Sequence, residues 1–399
     1  MIPLANQADE MLRRLADSTS SAALGQLDGA TLLGERAMLA NWTIPVRRSA
    51  GGGTHLFDAV GDTIALNLAR HDDRTLLPAL FETDALNVDD DEAIAEFIRS
   101  RDAEALVMRG RSMGLAIAAE HEARLPLPSL GVKLAEGNSI PAGVACSVAR
   151  RIPRVLDLSA LWAGPLAAHL LWLAGAEVVK VESASRPDGL RSGDQAFHAL
   201  LNQGKASVVL NFKDANDRRA LEALIAASDI VIEAGRPRGL AQLGIESGRM
   251  IANTPGLVWV TITAHGAQGD AADWVGFGDD CSVAAGLSAA LRSVTGRTGF
   301  VGDAIADPLT GIAAALLAWN ASKAGRGGHF GLALSEVTAR CLTRAEAESP
   351  IGLAAELSRW AAAAGQSFPK VKLRPIGPVA AFGQHTDERL SGLVGAYTR

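Results

Sequence analysis

The sequence predicts an α/β protein, a Rossmann-like doubly wound, mostly parallel sheet with a second, smaller α/β domain. Three observations carry that prediction. Between residues 150 and 340, short runs rich in β-branched residues ("RVLDLS", "EVVKVE", "SVVLNF", "IVIEA", "LVWVTIT", "HFGLAL") alternate with helix-like stretches such as "LAAHLLWLAGA" and "DRRALEALIAAS". That alternation is the mark of βαβ crossovers. Upstream, "HLFDAVGDTIALNLA" has apolar runs either side of Gly61 and Asp62 and reads as a β-hairpin. A Pro/Gly-rich stretch, "LPLPSLGVKLAEGNSIPAG", separates the two regions as a linker.

In chain order, the first 48 residues read as helical, with Met11, Leu12 and Leu15, then Leu32, Leu33, Met38 and Leu39, at helix-like spacing. Gly51, Gly52 and Gly53 stop that pattern and lead into the hairpin. Two helices are expected near residues 72–83 and 90–100, and the strand–helix alternation follows the linker. Beyond residue 345, another helix precedes the Pro-punctuated "PKVKLRPIGPVAAFGQHTDERL", expected to run extended over the surface. The expected domains are therefore a helical segment over 1–49, a glycine loop and small α/β domain over 50–130, the Rossmann-like core over 131–345 and a helix with tail over 346–399.

Composition narrows the function. The 399 residues carry 38 basic and 44 acidic side chains, a net charge of -6, which disfavours nucleic acid or an anionic membrane as the main partner. No secretory leader pattern opens the chain, and no stretch reaches the roughly 18 apolar residues of a spanning helix, so a cytoplasmic location is expected. Cys146, Cys281 and Cys341 are far apart and read as small buried residues, and the eight histidines show no paired spacing. No metal site is expected.

Motifs exclude more than they identify. The turn after "VLDLS" is "ALWAGPL", which lacks the GxGxxG of nicotinamide enzymes, and neither a Walker A loop nor a GxSxG elbow occurs. What remains is "GDAIADPLTGIAAALLAW", with Asp303 and Asp307 just ahead of a long apolar run. Asp307 followed by Pro308 fits an N-cap and a first helical position, a structural role.

Taken together, "RVLDLSALWAGPLAAHLLWLAGAEVVKVES", "GDAIADPLTGIAAALLAW" and "GRGGHFGLAL" resemble the class III CoA-transferase (CaiB/BaiF) family over residues 150–342, with "FGQHTDERL" resembling its tail. The resemblance implies an acyl-CoA substrate, a carboxylic acid acceptor, no tightly bound cofactor, and a homodimer, interlocked in the family. Its Asp-x-x-x-Gly pattern falls on Asp307 and Gly311, which makes Asp307 the nucleophile and Asp303 a bystander. A carboxylate needs no activating base, since its reference pKa is about 3.9. Capping and nucleophilic attack are compatible in one residue, because a helix N-terminus favours negative charge.

The resemblance assigns further residues. Gly51, Gly52 and Gly53 match the glycine loop that covers the aspartate, whose amides could donate to an oxyanion; a plain hinge is the alternative. In the family that loop follows the core, whereas here it precedes it, as in a permuted or duplicated chain. Leu161, Trp162 and Ala163 fall on the CoA-lining loop, with Arg186 as a phosphate partner and Arg236 and Arg238 as weaker candidates. Ala234 stands where some members have asparagine. The related α-methylacyl-CoA racemases use a His where this chain has Phe277, which cannot take a proton; His265, Asp279 and Asp280 lie nearby. The expected activity is CoA transfer, with racemisation and a catalytically silent acyl-CoA-binding subunit as alternatives.

Overall fold

The computed structural model describes residues 1–70, 72–122, 131–137, 152–234 and 238–391. Cys146 and Arg236 lie outside the described residues. Two sheets organise the fold. The larger has seven strands in the order β4 (Val132–Glu136), β10 (Gly328–Ala333), β9 (Val258–Thr263), β8 (Ile230–Ala234), β5 (Arg154–Asp157), β6 (Glu177–Ser183) and β7 (Ala206–Leu210). The six strands read from the sequence are all parallel, and only β4 runs antiparallel, against β10. Residues 132–136, read as linker, thus form an edge strand. Their sequence "VKLAE" is short and carries two charges, Lys133 and Glu136, as edge strands tend to do.

Counted from β5, the parallel strands lie in the doubly wound order 3-2-1-4-5-6, which reverses between β5 and β8. Ligands in such sheets sit beyond the carboxyl ends of the strands at that reversal.

Five helices position the site: α1 (Ala5–Thr19), α2 (Gly29–Leu39), α3 (Ala163–Leu173), α4 (Gly278–Ala284) and α5 (Ala306–Lys323). Helix α5 is apolar on every side and lies in the centre of the core, buried from Ala306 to Trp319 apart from Asp307 and Leu317. It crosses α3 closely at Gly311, where an added Cβ would come within 2.7 Å of the Ala163 carbonyl oxygen. The glycine of the Asp-x-x-x-Gly pattern is therefore a packing requirement. Helices α1 and α2 cover α5 from outside.

The smaller sheet is β1 (Thr54–Asp58), β2 (Thr63–Asn67) and β3 (Ala116–Ala119), all antiparallel. Its alternation puts Phe57, Ile64 and Leu66 against the helices spanning residues 77–112. Leu56 and Ala65 face the other way and meet Val283 of α4 and Phe300. The helix Ala103–Ser112 and strand β3 went unread in the sequence, since "LAIAA" after a single glycine offers little period to count. After the helix Pro350–Ala362 the chain runs without regular structure to a short helix, Thr386–Ser391, packed on β7. Among the described residues, no helix is long and apolar enough to cross a membrane.

Candidate active site

A cleft of about 670 Å³ opens at the carboxyl ends of β5, β8 and β9. Leu161, Ala163, Arg186, Arg238 and Asp307 line it, and Arg70, just beyond β2 of the smaller sheet, joins them. Trp162 does not: its ring is turned into the core, edge-on to Phe197. Nor do Gly51, Gly52 and Gly53. The Gly52 N–H closes a turn on the Ser49 carbonyl at 2.8 Å, and Gly51 rests beside Trp42. The loop does reach the neighbourhood of the aspartates, because Thr54, on the face of β1 shared with Leu56, donates from Oγ1 to Asp279 Oδ2 at 3.4 Å.

Asp307 is the second residue of α5, and Ile305 holds the N-cap position, so the side chain does not cap its own helix. It turns instead toward the start of α4, where its carboxyl accepts the Gly278 N–H. Only glycine fits there, for a Cβ at 278 would stand 2.2 Å from Asp307 Oδ2 and 2.4 Å from the Ala304 carbonyl oxygen. Burial pushes the Asp307 pKa up to about 7; Arg36 opposes this, and Asp279 and Asp303 add to it. The expectation of a fully ionised carboxylate at neutral pH is thereby corrected, because desolvation penalises the charged form.

Asp303 is no bystander. Fully buried, it takes a two-pronged bond from Arg36 of α2, Nε to Oδ2 at 2.8 Å and Nη2 to Oδ1. The guanidinium stacks over Trp162, 4.4 Å from the ring centroid, and lies 5.2 Å from that of Trp42. Asp279 accepts the Ala304 N–H at 2.9 Å, and burial with Asp303 nearby raises its pKa to about 6. Asp280 caps α4 through the Phe277 N–H at 2.9 Å, and burial raises it to about 8. His265 is buried and neutral, its pKa lowered to about 3 by desolvation and Arg111, and its Nε2 lies 3.9 Å from Cys281 Sγ.

The loop that carries Leu161 and Ala163 is held from below. Leu161 has φ +66°, a left-handed conformation, and donates its N–H to Asp188 Oδ1 at 3.1 Å. Asp188 in turn pairs with Lys180 at 3.0 Å. Elsewhere along the cleft, Arg70 and Arg111 stand over the lining residues Phe277 and Trp274 at 6.0 and 4.2 Å.

Arg36 and Gly278 were missed by sequence reasoning. A lone Arg in "GERAML" carries no signal, whereas "GFGDD" offered one in its glycine directly before paired aspartates.

The profile of CoA-transferase family III matches residues 153–359. Over 208 residues the chain is 30% identical to the succinate–glutarate CoA-transferase of Agrobacterium fabrum, which covers 47% of this chain and 52% of that protein. Over 227 residues it is 29% identical to the succinyl-CoA:glutarate CoA-transferase of Mus musculus, covering 54% and 52%. A solved structure, a CaiB/BaiF family protein from Brucella suis, is similar at 24% identity with a TM-score of 0.41, covering 50% and 57%. The chain spans about half the length of the curated relatives it matches. The matched region holds β5 to β10 and α3 to α5, and leaves out α1, α2 and the smaller sheet.

Proposed function

The chain belongs to CoA-transferase family III, and on that premise we propose that it moves coenzyme A from an acyl-CoA donor to a carboxylic acid through Asp307. The observation that carries this reading is the setting of Asp307, a carboxyl exposed to the cleft, aimed at a helix N-terminus and facing the loop of Leu161 and Ala163. The Asp307 carboxylate attacks the thioester carbonyl, which forms a mixed anhydride and releases CoA as thiolate. The thiolate then attacks the aspartyl carbonyl, giving an aspartyl-CoA thioester and the free donor acid. The acceptor carboxylate attacks that thioester, forming a second anhydride and again thiolate. Attack of the thiolate on the acceptor's acyl carbon completes the new thioester and returns Asp307.

The Gly278 N–H lies against the Asp307 carboxyl, on whose oxygen negative charge develops in this reading, and would stabilise that charge. Leu161, Ala163 and Arg186 form the CoA-side wall of this reading, with Arg186 pairing a phosphate. The two CoA-transferases named above carry succinate or succinyl-CoA and glutarate in their names, so short dicarboxylates are the first acids to try. Phe277, in the cleft wall, offers no proton acceptor, which weighs against racemisation. A homodimer in solution belongs to the same reading.

Incubation with an acyl-CoA, hydroxylamine trapping and mass spectrometry of the peptide holding Asp307 test it. A hydroxamate at Asp307, absent in Asp307→Asn, is expected. Binding of acyl-CoA with no adduct across a broad panel of donors would instead identify a silent acyl-CoA-binding protein.

A further inference from the structure

We propose that Arg36 is a positioning residue for Asp307: its pair with Asp303 locks the left-handed turn that aims the Asp307 carboxyl, and its charge faces the acidic groups gathered there. The inference rests on the reading of Asp307 as nucleophile. It concerns a residue outside the matched region 153–359.

The turn before α5 is conformationally costly. Gly302 has φ +79° and Ala304 φ +39°, and a non-glycine residue in that region persists only where its surroundings impose it. Two grips impose it here. Arg36 holds Asp303 by both carboxylate oxygens, and Asp279 Oδ1 accepts the Ala304 N–H at 2.9 Å. The Ala304 carbonyl then accepts the Asp307 N–H at 2.9 Å, so the chain of bonds from Arg36 ends on the backbone of Asp307.

Arg36 cannot swing away, because Trp42 and Trp162 hold its guanidinium by cation–π contact. Trp162 sits between Leu161 and Ala163, which line the cleft. One side chain from α2 thereby braces both the turn of the aspartate and the loop opposite it.

The charge balance is uneven. Asp307 is faced by Arg36 of α2, by Asp303 of its own turn, and by Asp279 and the Cys281 thiol of α4. Among the described residues one cation stands against three carboxyls, and Asp303 keeps the Arg36 pKa raised despite its burial. Removing Arg36 leaves the Asp307 anion without that support, whereas removing the Asp303 charge leaves Arg36 facing one acid fewer.

The test is the pH dependence of thiol release and Asp307 adduct formation in the first turnover, for the wild type, Arg36→Gln, Arg36→Lys and Asp303→Asn. Circular dichroism and unfolding temperature accompany each variant. In Arg36→Gln the rising limb should move to higher pH, with roughly tenfold more loss of rate at pH 6 than at pH 9. In Asp303→Asn it should move the opposite way. Arg36→Lys should keep the limb near its wild-type position with a lower plateau, since a single ammonium cannot hold both oxygens. KM for the acyl-CoA should stay within about twofold throughout.

A pillar with no other role would lower unfolding temperature and rate without moving the limbs apart. Limbs that coincide, or that all move one way, overturn the proposal. Should Arg36→Gln fail to fold, an upward shift in Arg36→Lys or an unmoved limb in Asp303→Asn does so. A wild type that forms no adduct refutes the Asp307 reading first, and the proposal with it.

Discussion

Two groups of buried charges flank helix α3, and they differ in balance. Beneath the loop after β5, Lys205 meets Asp157 at 2.8 Å and Lys180 meets Asp188 at 3.0 Å, two cations for two carboxylates. Remaining donor capacity goes to carbonyls, Lys205 to Pro165 and Lys180 to Ser159. At the start of α5, Arg36 is, among the described residues, the one cation set against Asp279, Asp303 and Asp307. Burial penalises charge in both places; in the first group the lysines outweigh it for Asp157, although burial still draws the Lys205 pKa down to about 8. Asp157, which burial would raise, is drawn down to about 2 by Lys205 and Lys180. Asp307 is driven up to about 7. The balanced group is a fastening, and the unbalanced one holds a carboxyl whose charge is poised near neutral pH, a property associated with reactive sites.

Breaking that contrast gives the largest effects first. Asp307→Asn should cost at least about a thousandfold in CoA exchange, because no other carboxyl of the cluster occupies its place against Gly278; a radiolabelled-CoA exchange assay measures it. Stability should move the other way, with a sign set by pH. The Asp307 pKa is higher folded than unfolded, so its protonated form favours the fold below about pH 4 and that support is lost as pH rises through about 7. Asp307→Asn should therefore match the wild type in denaturant unfolding at pH 4 and exceed it at pH 8.

Asp157→Ala, which strands Lys205 while Lys180 keeps Asp188, should cost about 3–5 kcal/mol of unfolding free energy. Asp157 itself is lower folded than unfolded, so its contribution is present above about pH 4 and fades as pH falls toward 2. Gly278→Ala should lose about 1–3 kcal/mol and most of the transfer rate, since the new methyl meets Asp307 Oδ2 and the Ala304 carbonyl together. The smallest effect is expected of Arg186→Gln, a cleft-lining residue, with KM for acyl-CoA raised roughly fivefold and kcat unchanged in steady-state assays, if it makes the single phosphate contact proposed for it.

Much of the core was legible because its signals are local. Each of "RVLDLS", "EVVKVE", "SVVLNF", "IVIEA", "LVWVTIT" and "HFGLAL" contains one parallel strand, since a strand buried on both faces must be a short apolar run. The hairpin at Gly61 was legible for the same reason, its period of two being confined to a dozen residues. The strand at 132–136 was not, because an edge strand with one neighbour can be short and charged and so resembles a linker. At the site, the two cleft-lining segments that carry Asp307 and, separately, Leu161 and Ala163 could be read along the chain. Trp162 could not be separated from its neighbours, because which way a side chain leaves a left-handed turn depends on what packs beside it.

What the sequence determined by itself is the order of the strands along the chain, the apolar α5 and the place of Asp307 at its start. These follow from propensity and period over a few residues. Only the tertiary structure decided that Arg36, far upstream, closes on Asp303, that Gly278 rather than the 51–53 glycines abuts the Asp307 carboxyl, and that this carboxyl resists ionisation. Desolvation and ion pairing depend on which distant groups share a buried volume, and no stretch of sequence carries that information alone.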